Sequence, residues 1–272
     1  MKYLYETHMH TCLASGCGKS TGKEHARFYK EQGYTGIIMT DHFFGGNTCI
    51  SRELPWEERI DLFWRGYEDA KEEGDRIGLD VFFGLEQNFQ GDEYLIYGLD
   101  KDYMKAHPEM EHWTRREQLE AVHGQGGCVI QAHPFRIRDY MNKIRLAAPF
   151  CDGIEAANAG NDPMDDARAR AYGKEMGFVM TAGSDNHHSP TDKLFGVILP
   201  RKLTCIQDYV NIILKKEQPV LKVPEERFRF DPTWTLDERH QAWELDENEK
   251  IHLSERQWIT EDQLPKVPWE EN

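Results

Sequence analysis

Short apolar runs alternate along this chain with stretches in which apolar residues recur every three or four positions. Runs at 3–9, 36–40, 80–85, 93–99, 128–132, 151–157, 178–182 and 194–199 predict buried strands. Thr21-Gly22-Lys23-Glu24 is a capping box, which predicts a helix of about three turns. Pro55 opens a long helix in which Trp56, Ile60, Phe63, Tyr67 and Ala70 step by four, three, four and three, so one face is buried. Thr114 and Glu117 form a second capping box, and Gly126-Gly127 ends that helix. Asp162-Pro163 opens another helix with proline at its first position, and a last helix runs from Thr204 to about Lys215.

Alternation of this kind predicts an α/β fold with a mostly parallel sheet covered by helices. The placement of polar residues sharpens the picture. His8 and His10, His42, Glu86, His133, and Asp185 with His187 each follow an apolar run, and those runs come from the whole length of the chain. A closed βα barrel brings such strand ends to one mouth, whereas an open sheet keeps its outermost ones apart. The expectation is therefore a barrel of about seven strands over residues 1–221. Residues 222–272 show little alternation but hold Trp234, Trp243, Trp258 and Trp269 among many glutamates, and are expected to form an extended tail packed on the barrel.

Composition narrows the function. The chain has 272 residues, 39% of them hydrophobic and 11% aromatic, enough for one large core. Acidic residues outnumber basic ones 48 to 33, a formal charge of −15 that argues against nucleic-acid or anionic-membrane partners. No run approaches the roughly 20 apolar residues of a membrane span, and Met1–Glu6 lacks the apolar core of a signal peptide. The six cysteines (Cys12, Cys17, Cys49, Cys128, Cys151, Cys205) form no CxxC pair and read as reduced thiols of a cytoplasmic protein.

His8-x-His10 on a strand puts two imidazoles on one face, half of a divalent-metal site. Glu86, His133 and Asp185 at the same mouth extend it, because carboxylates and imidazoles gathered there need a cation between them. Arg136, three residues after His133, stands where a guanidinium can clamp a phosphate with two parallel hydrogen bonds, against a reading as a loop residue beside Arg138. Lys19, Asn158, Asn161 and His188 lie in neighbouring strand-end loops and read as loop or capping residues.

Thr7-His8-Met9-His10-Thr11, Thr40-Asp41-His42, Gly84-Leu85-Glu86, Ala132-His133-Pro134 and Gly183-Ser184-Asp185-Asn186-His187 together resemble the ordered motifs of the PHP superfamily, which includes polymerase-associated domains and histidinol phosphatases. The resemblance spans residues 3 to about 200. It implies a distorted (β/α)7 barrel, TIM-barrel-like, with two or three divalent ions (zinc, manganese or iron) and phosphoester hydrolysis. By position, His8 and His10 would hold one metal with Glu86 and Asp185. Glu86 would bridge to a second metal that also takes His133, and a third would take His42 and His187. Two departures stand out. The family usually has an Asp or His shortly after the HxH motif; here the stretch reads Cys12-Leu13-Ala14-Ser15-Gly16-Cys17-Gly18, with Cys17 the nearest candidate. The family often gives the second metal another His near the fourth strand; here Glu93, Asp100, His107 and His112 are the alternatives.

The expected reaction is hydrolysis of a small phosphomonoester (histidinol phosphate, a nucleotide or a sugar phosphate) by a metal-activated hydroxide, with Asp185 and His187 as catalytic groups. The competing readings are an amidohydrolase-type hydrolase, which usually carries a bridging carboxylated lysine where this chain has Glu86, and a non-catalytic scaffold on the same fold.

Overall fold

The computed structural model describes residues 2–139, 141, 143–229, 231–258 and 269–270. The apolar runs form β1 (Tyr3–Glu6), β2 (Gly36–Met39), β3 (Asp80–Phe89), β4 (Asp92–Tyr97) and β5 (Cys128–Ala132), then, after a short β6 (Ile144–Leu146), β7 (Gly153–Asn158), β8 (Val179–Gly183) and β9 (Gly196–Leu199). Beyond them lie β10 (Val220–Lys222), β11 (Ala242–Leu245), β12 (Ile251–Leu253) and β13 (Trp269–Glu270). The helices are α1 (Gly22–Glu31), α2 (Trp56–Ile77), a short α3 (Lys101–Ala106), α4 (Arg115–Gly124), α5 (Pro163–Met176) and α6 (Ile206–Leu214).

Both capping boxes form: Thr21 and Thr114 each accept from the N–H three residues on, and Glu24 and Glu117 reach back to the capping residues' N–H. α2 buries Ile60, Phe63 and Ala70 and half-buries Trp56 and Tyr67, and it ends on Gly78 in the left-handed conformation. Phe43, Phe63, Phe83 and Ile96 pack this helix against β3 and β4, while Ile38, Leu95, Ile130, Ile154, Val197 and Val210 belong to the largest apolar cluster.

The strands join in the order β13-β10-β9-β1-β2-β3-β4-β5-β7-β8, and the sheet curls until β8 lies beside β9 and β10. The barrel is mixed rather than mostly parallel. β1, β2 and β3 are parallel, as are β5, β7 and β8, but β4 runs against both its neighbours and β9 against β1. The cause is local: β3 and β4 are joined by Gln90-Gly91, with φ of 57° and 110°, a two-residue turn that only an antiparallel pair accommodates. Reversing β4 brings its first residues, including Glu93, to the end of the barrel where the parallel strands finish.

Between β8 and β10 the ladder of main-chain bonds stops, and one side chain fills in. The Met180 N–H donates to Gln218 Oε1 at 2.9 Å, and Gln218 Nε2 donates to the Met180 carbonyl at 2.8 Å. An amide side chain thus satisfies a buried main-chain donor and acceptor as a paired strand would.

The C-terminal segment is more structured than its sequence pattern suggests. β11 and β12 form an antiparallel hairpin, and β11 pairs with β6 in parallel. Trp258 is buried against Phe135 and Tyr172, with its Nε1 donating to Glu175. Arg168 donates to the carbonyls of His240 (2.7 Å) and Gln257 (3.1 Å). Trp234 and Trp243 are half-buried; residues 259–268 and 271–272, and the side chain of Trp269, lie outside the described residues. Among the described residues, no helix is long and apolar enough to cross a membrane.

Replacing Gln218 with alanine leaves the Met180 N–H and carbonyl unpaired at the seam. The expected cost is about 1–3 kcal/mol in urea unfolding. Gln207→Ala, which removes only an exposed bond to the Gly126 carbonyl, is expected to change stability by less than about 0.5 kcal/mol.

Candidate metal centre

β1 ends at Glu6, whose buried carboxylate turns the chain. Oε1 accepts from the N–H groups of Thr7 (2.9 Å), His8 (2.9 Å) and Ser184 (3.0 Å), and Oε2 from the Tyr29 hydroxyl (3.0 Å). Burial pushes Glu6 up to about 7, against these donors, which favour the charged form. The strand expected over 3–9 therefore stops early, and His8 and His10 stand beyond it. The segment keeps its alternation because the His10 N–H donates to the Asn186 carbonyl (2.8 Å) and the Met9 N–H to Thr40 Oγ1 (2.9 Å). Met9 turns into an apolar cluster while both imidazoles turn to the mouth.

Asp41 anchors the following loop. It accepts from the Thr11 N–H (2.6 Å) and hydroxyl (2.8 Å) and from the Ser15 hydroxyl (2.6 Å), and Ser15 Oγ in turn accepts from the His42 N–H (2.9 Å). Glu86 lies inside β3, opposite Leu95, rather than just after it. His133 follows β5 and Asp185 follows β8, each at positive φ (27° and 52°), a strained backbone that re-aims the side chain into the barrel mouth.

These residues converge. His8 Nε2 lies 3.2 Å from Glu86 Oε1 and 3.5 Å from Asp185 Oδ1; His10 Nε2 lies 3.1 Å from Asp185 Oδ1 and 3.5 Å from Glu86 Oε2. His133 Nε2 is 3.3 Å from Glu86 Oε1 and 3.4 Å from Glu93 Oε2. Ligand atoms gather in overlapping groups: His8, His10 and Asp185; His8, Glu86 and His133; His42, Glu86 and Glu93; His10, His42 and His187. All seven residues expected to ligate metal are present in these groups. Glu93 joins them; Asp100 instead caps α3, His107 pairs with Glu109 and His112 is exposed.

The electrostatics suit cations. Burial alone would neutralise these groups, yet His8 and His42 hold Glu86 well below the usual carboxylate range, and His8 and Arg136 do the same for Asp185. His8 is drawn down by burial but held well above its ordinary value by Glu155, Asp185 and Glu86. His10 is pushed well below by burial and by His42 and His187. His42 Nδ1 and Glu86 Oε2 are only 2.7 Å apart, yet neither is in hydrogen-bonding geometry and both are buried without a partner. A divalent ion satisfies two such orphaned lone pairs at once. The residues present therefore fit metal ions.

Several placements differ from expectation or were missed. Arg136 is buried and engaged: Nε donates to Asn161 (2.6 Å), one terminal nitrogen to Asp185 (2.6 Å) and the other to Asn158. It braces Asp185 first, and two of its five N–H groups are left for an oxyanion. Asn158 and Asn161 are thus buried supports rather than loop caps, while Lys19 and His188 are exposed. Glu155, in the middle of β7, holds His8 Nδ1 at 2.9 Å and accepts from the His133 N–H and Asn158 Nδ2, which leaves His8 Nε2 free to ligate. A lone acid in the apolar run Gly153-Ile154-Glu155-Ala156-Ala157 was the available signal. Cys17 lines the same cavity as His42 and His187; burial raises its thiol, and these two rings more than offset that, lowering it to about 6.

Glu155→Gln keeps the shape but removes the charge behind His8. Metal affinity measured by competition with a chelator is expected to fall about 10–100-fold. His25 offers a pH test. Its Nε2 donates to the His10 carbonyl (3.0 Å), its Nδ1 meets Ser189 Oγ (2.8 Å), and burial lowers it to about 4. The unfolded chain takes up this proton near pH 6.5 and the folded one only near 4, so stability present above 6.5 is lost as pH falls through that window, on the order of 3 kcal/mol. His25→Asn is expected to flatten the dependence of unfolding free energy on pH between 6.5 and 4 by that amount.

No family model matches the sequence, and no curated protein is significantly similar to it. Solved structures are similar in fold. An inferred metal-dependent phosphoesterase from Bifidobacterium adolescentis aligns over 77% of this chain and 96% of its own, with a TM-score of 0.53 and 16% identity. A two-domain protein from Bacteroides vulgatus containing a predicted PHP-like metal-dependent phosphoesterase aligns over 87% of this chain and 73% of its own, with a TM-score of 0.58 and 14% identity. PsfC from Pseudomonas syringae aligns over 77% and 88%, with a TM-score of 0.53 and 16% identity. The likeness is one of fold: this chain shares its barrel architecture with these proteins.

Proposed function

We propose that the chain is a metal-dependent phosphoesterase that hydrolyses a small phosphomonoester. The carrying observation is Glu86: buried, touched by His8, His42 and His133, and with one oxygen unpartnered, it is a carboxylate placed to be shared between cations. Two divalent ions held this way supply Lewis-acid stabilisation of a phosphoryl group and a water acidic enough to react near neutral pH. His8, His10, Glu86 and Asp185 would hold one ion, and Glu86, Glu93 and His133 the other.

The protein's own groups do the rest. Asp185, fixed by Arg136, orients the attacking water, whose proton leaves to solvent. The free N–H groups of Arg136 and the exposed Arg138 meet equatorial phosphoryl oxygens in a cavity of about 480 Å³ that both residues line. His187 donates from Nδ1 to the Asp185 carbonyl (2.7 Å), and its partly exposed ring faces the cavity, where it protonates the departing alkoxide. A second hollow of about 650 Å³ shares Asp185 and His187 with the first and gives the leaving group room, which favours a substrate of nucleotide or sugar-phosphate size. The formal −15 charge gives a nucleic-acid backbone or an anionic membrane little attraction, and six free cysteines suit a cytoplasmic enzyme.

The test is turnover of p-nitrophenyl phosphate before and after metal stripping and readdition of manganese, zinc or iron, beside a panel of amides and lactones. Loss and return of phosphatase activity with metal is expected. Asp185→Asn and His10→Ala are expected to lower it by about 10²–10⁴-fold while the metal-free protein stays folded by circular dichroism. Turnover of amides or lactones in place of phosphoesters would move the assignment to amidohydrolase chemistry.

A further inference from the structure

We infer that Arg227, in the segment after the barrel, is a positioning residue of the candidate metal centre, steadying Asp185 along two routes, one through Asn161 and Arg136 and one through Phe195 and Ser184. The inference rests on the metal-centre reading above and brings in a part of the chain that no strand-end motif includes.

After β10, Val223 is buried and the single 3₁₀ turn Glu225–Phe228 sets Arg227 against the loop that joins β7 to α5. Arg227 Nη1 donates to the Asn161 carbonyl at 2.8 Å and to Asp166 Oδ2 at 2.9 Å. Asp166 lies in the first turn of α5 and is fully buried. Its other oxygen accepts from Asn161 Nδ2 (2.8 Å) and from the Asn158 N–H (3.2 Å). Asn161 is thus held at its carbonyl by Arg227 and at its amide nitrogen by Asp166. A carboxylate only accepts and a guanidinium only donates, so the amide has one orientation that suits both neighbours. In it, Oδ1 accepts from Arg136 Nε at 2.6 Å, and Arg136 reaches Asp185 Oδ2 at 2.6 Å. Gly160 completes the fit, because a Cβ there would lie 2.9 Å from Arg136 Nη2.

The second route approaches Asp185 from its backbone. The Arg227 guanidinium lies over the Phe195 ring, 5.2 Å from its centroid. The Phe195 N–H donates to Ser184 Oγ (2.9 Å), and the Phe195 carbonyl accepts from the same hydroxyl (3.3 Å). Ser184 directly precedes Asp185, whose backbone is held at a φ of 52°. One cation from the C-terminal segment therefore bears on the side chain of Asp185 through Arg136 and on its backbone through Ser184. Charge is needed in both routes: the buried Asp166 carboxylate takes a cation as partner, and the ring face attracts one. Both hydrogen bonds leave from a single nitrogen, so a lysine ammonium can supply them. A neutral side chain of similar length fills the same space and supplies neither.

The experiment compares Arg227→Met and Arg227→Lys in the full chain. Manganese and zinc affinities are read by competition with a chelator, and kcat and KM are read with p-nitrophenyl phosphate. Arg227→Met is expected to weaken metal affinity and lower kcat by about tenfold each, while Arg227→Lys stays within about threefold of wild type in both. Arg229→Met, in the same segment, removes only a pairing with the exposed Glu225 and is expected to change neither. Asp166→Asn is expected to reproduce the effect of Arg227→Met, and the double variant to be no worse than either single one, as for two members of one relay. If Arg227→Met is folded by circular dichroism and matches wild type in both readouts, the inference is wrong and the centre stands. Equal losses in the Met and Lys variants would overturn it as well, because packing alone would then explain Arg227. Should Arg227→Met not fold, Asp166→Asn decides, and wild-type affinity and kcat in that variant sink the inference. If the wild-type chain binds metal but hydrolyses no phosphoester, the phosphoesterase reading alone falls and the affinities still test Arg227. If it retains no metal at all, both fall.

Discussion

The carboxylate of Glu6 gathers main-chain N–H groups from both ends of the barrel domain: Thr7 and His8 after the first strand, and Ser184 after the eighth. These segments lie nearly 180 residues apart in the chain, yet each carries candidate metal ligands one or two positions further on. A carboxylate that accepts several N–H bonds in a buried setting fixes direction as well as distance, because each bond is lost if either segment rotates. His8, His10 and Asp185 therefore owe their common focus to a residue that never faces the mouth. Asp41 does the same for the next loop through Thr11 and Ser15, and Glu155 for His8 and His133. Three buried acids behind the site hold the ring of candidate ligands in front of it.

The tail adds support from outside the barrel. Phe135 follows His133 and Pro134, and it is packed by Trp258 and Tyr172. Arg168, stacked on the same Phe135 ring, grips the tail backbone at His240 and Gln257. The loop that carries His133 and Arg136 is thus clamped between α5 and residues more than a hundred positions further along the chain.

Much of this was legible in the sequence because it is written in local signals. Capping boxes at Thr21 and Thr114, the face of α2 and the apolar runs depend on neighbours within a few residues, and each formed its element. The strand-end His, Glu and Asp residues were legible because charged groups after apolar runs need a shared purpose. What was not legible depends on partners distant in sequence. The reversal of β4 follows from a two-residue turn whose flanks lack a distinctive composition, and Glu93 could be chosen over Asp100, His107 and His112 only once that reversal was known. Arg136 looked free because nothing local showed that Asn158, Asn161 and Asp185 would surround it. Gln218 at the seam has no signature at all, since any amide in a loop reads the same.

The left-handed backbone at His133 and Asp185 has a consequence for which residues suit this barrel. Each such residue costs on the order of 1–3 kcal/mol relative to a relaxed position. Glycine would relieve that strain while deleting the ligand. Backbone stability and the candidate metal centre therefore pull the choice of residue at these two places in opposite directions.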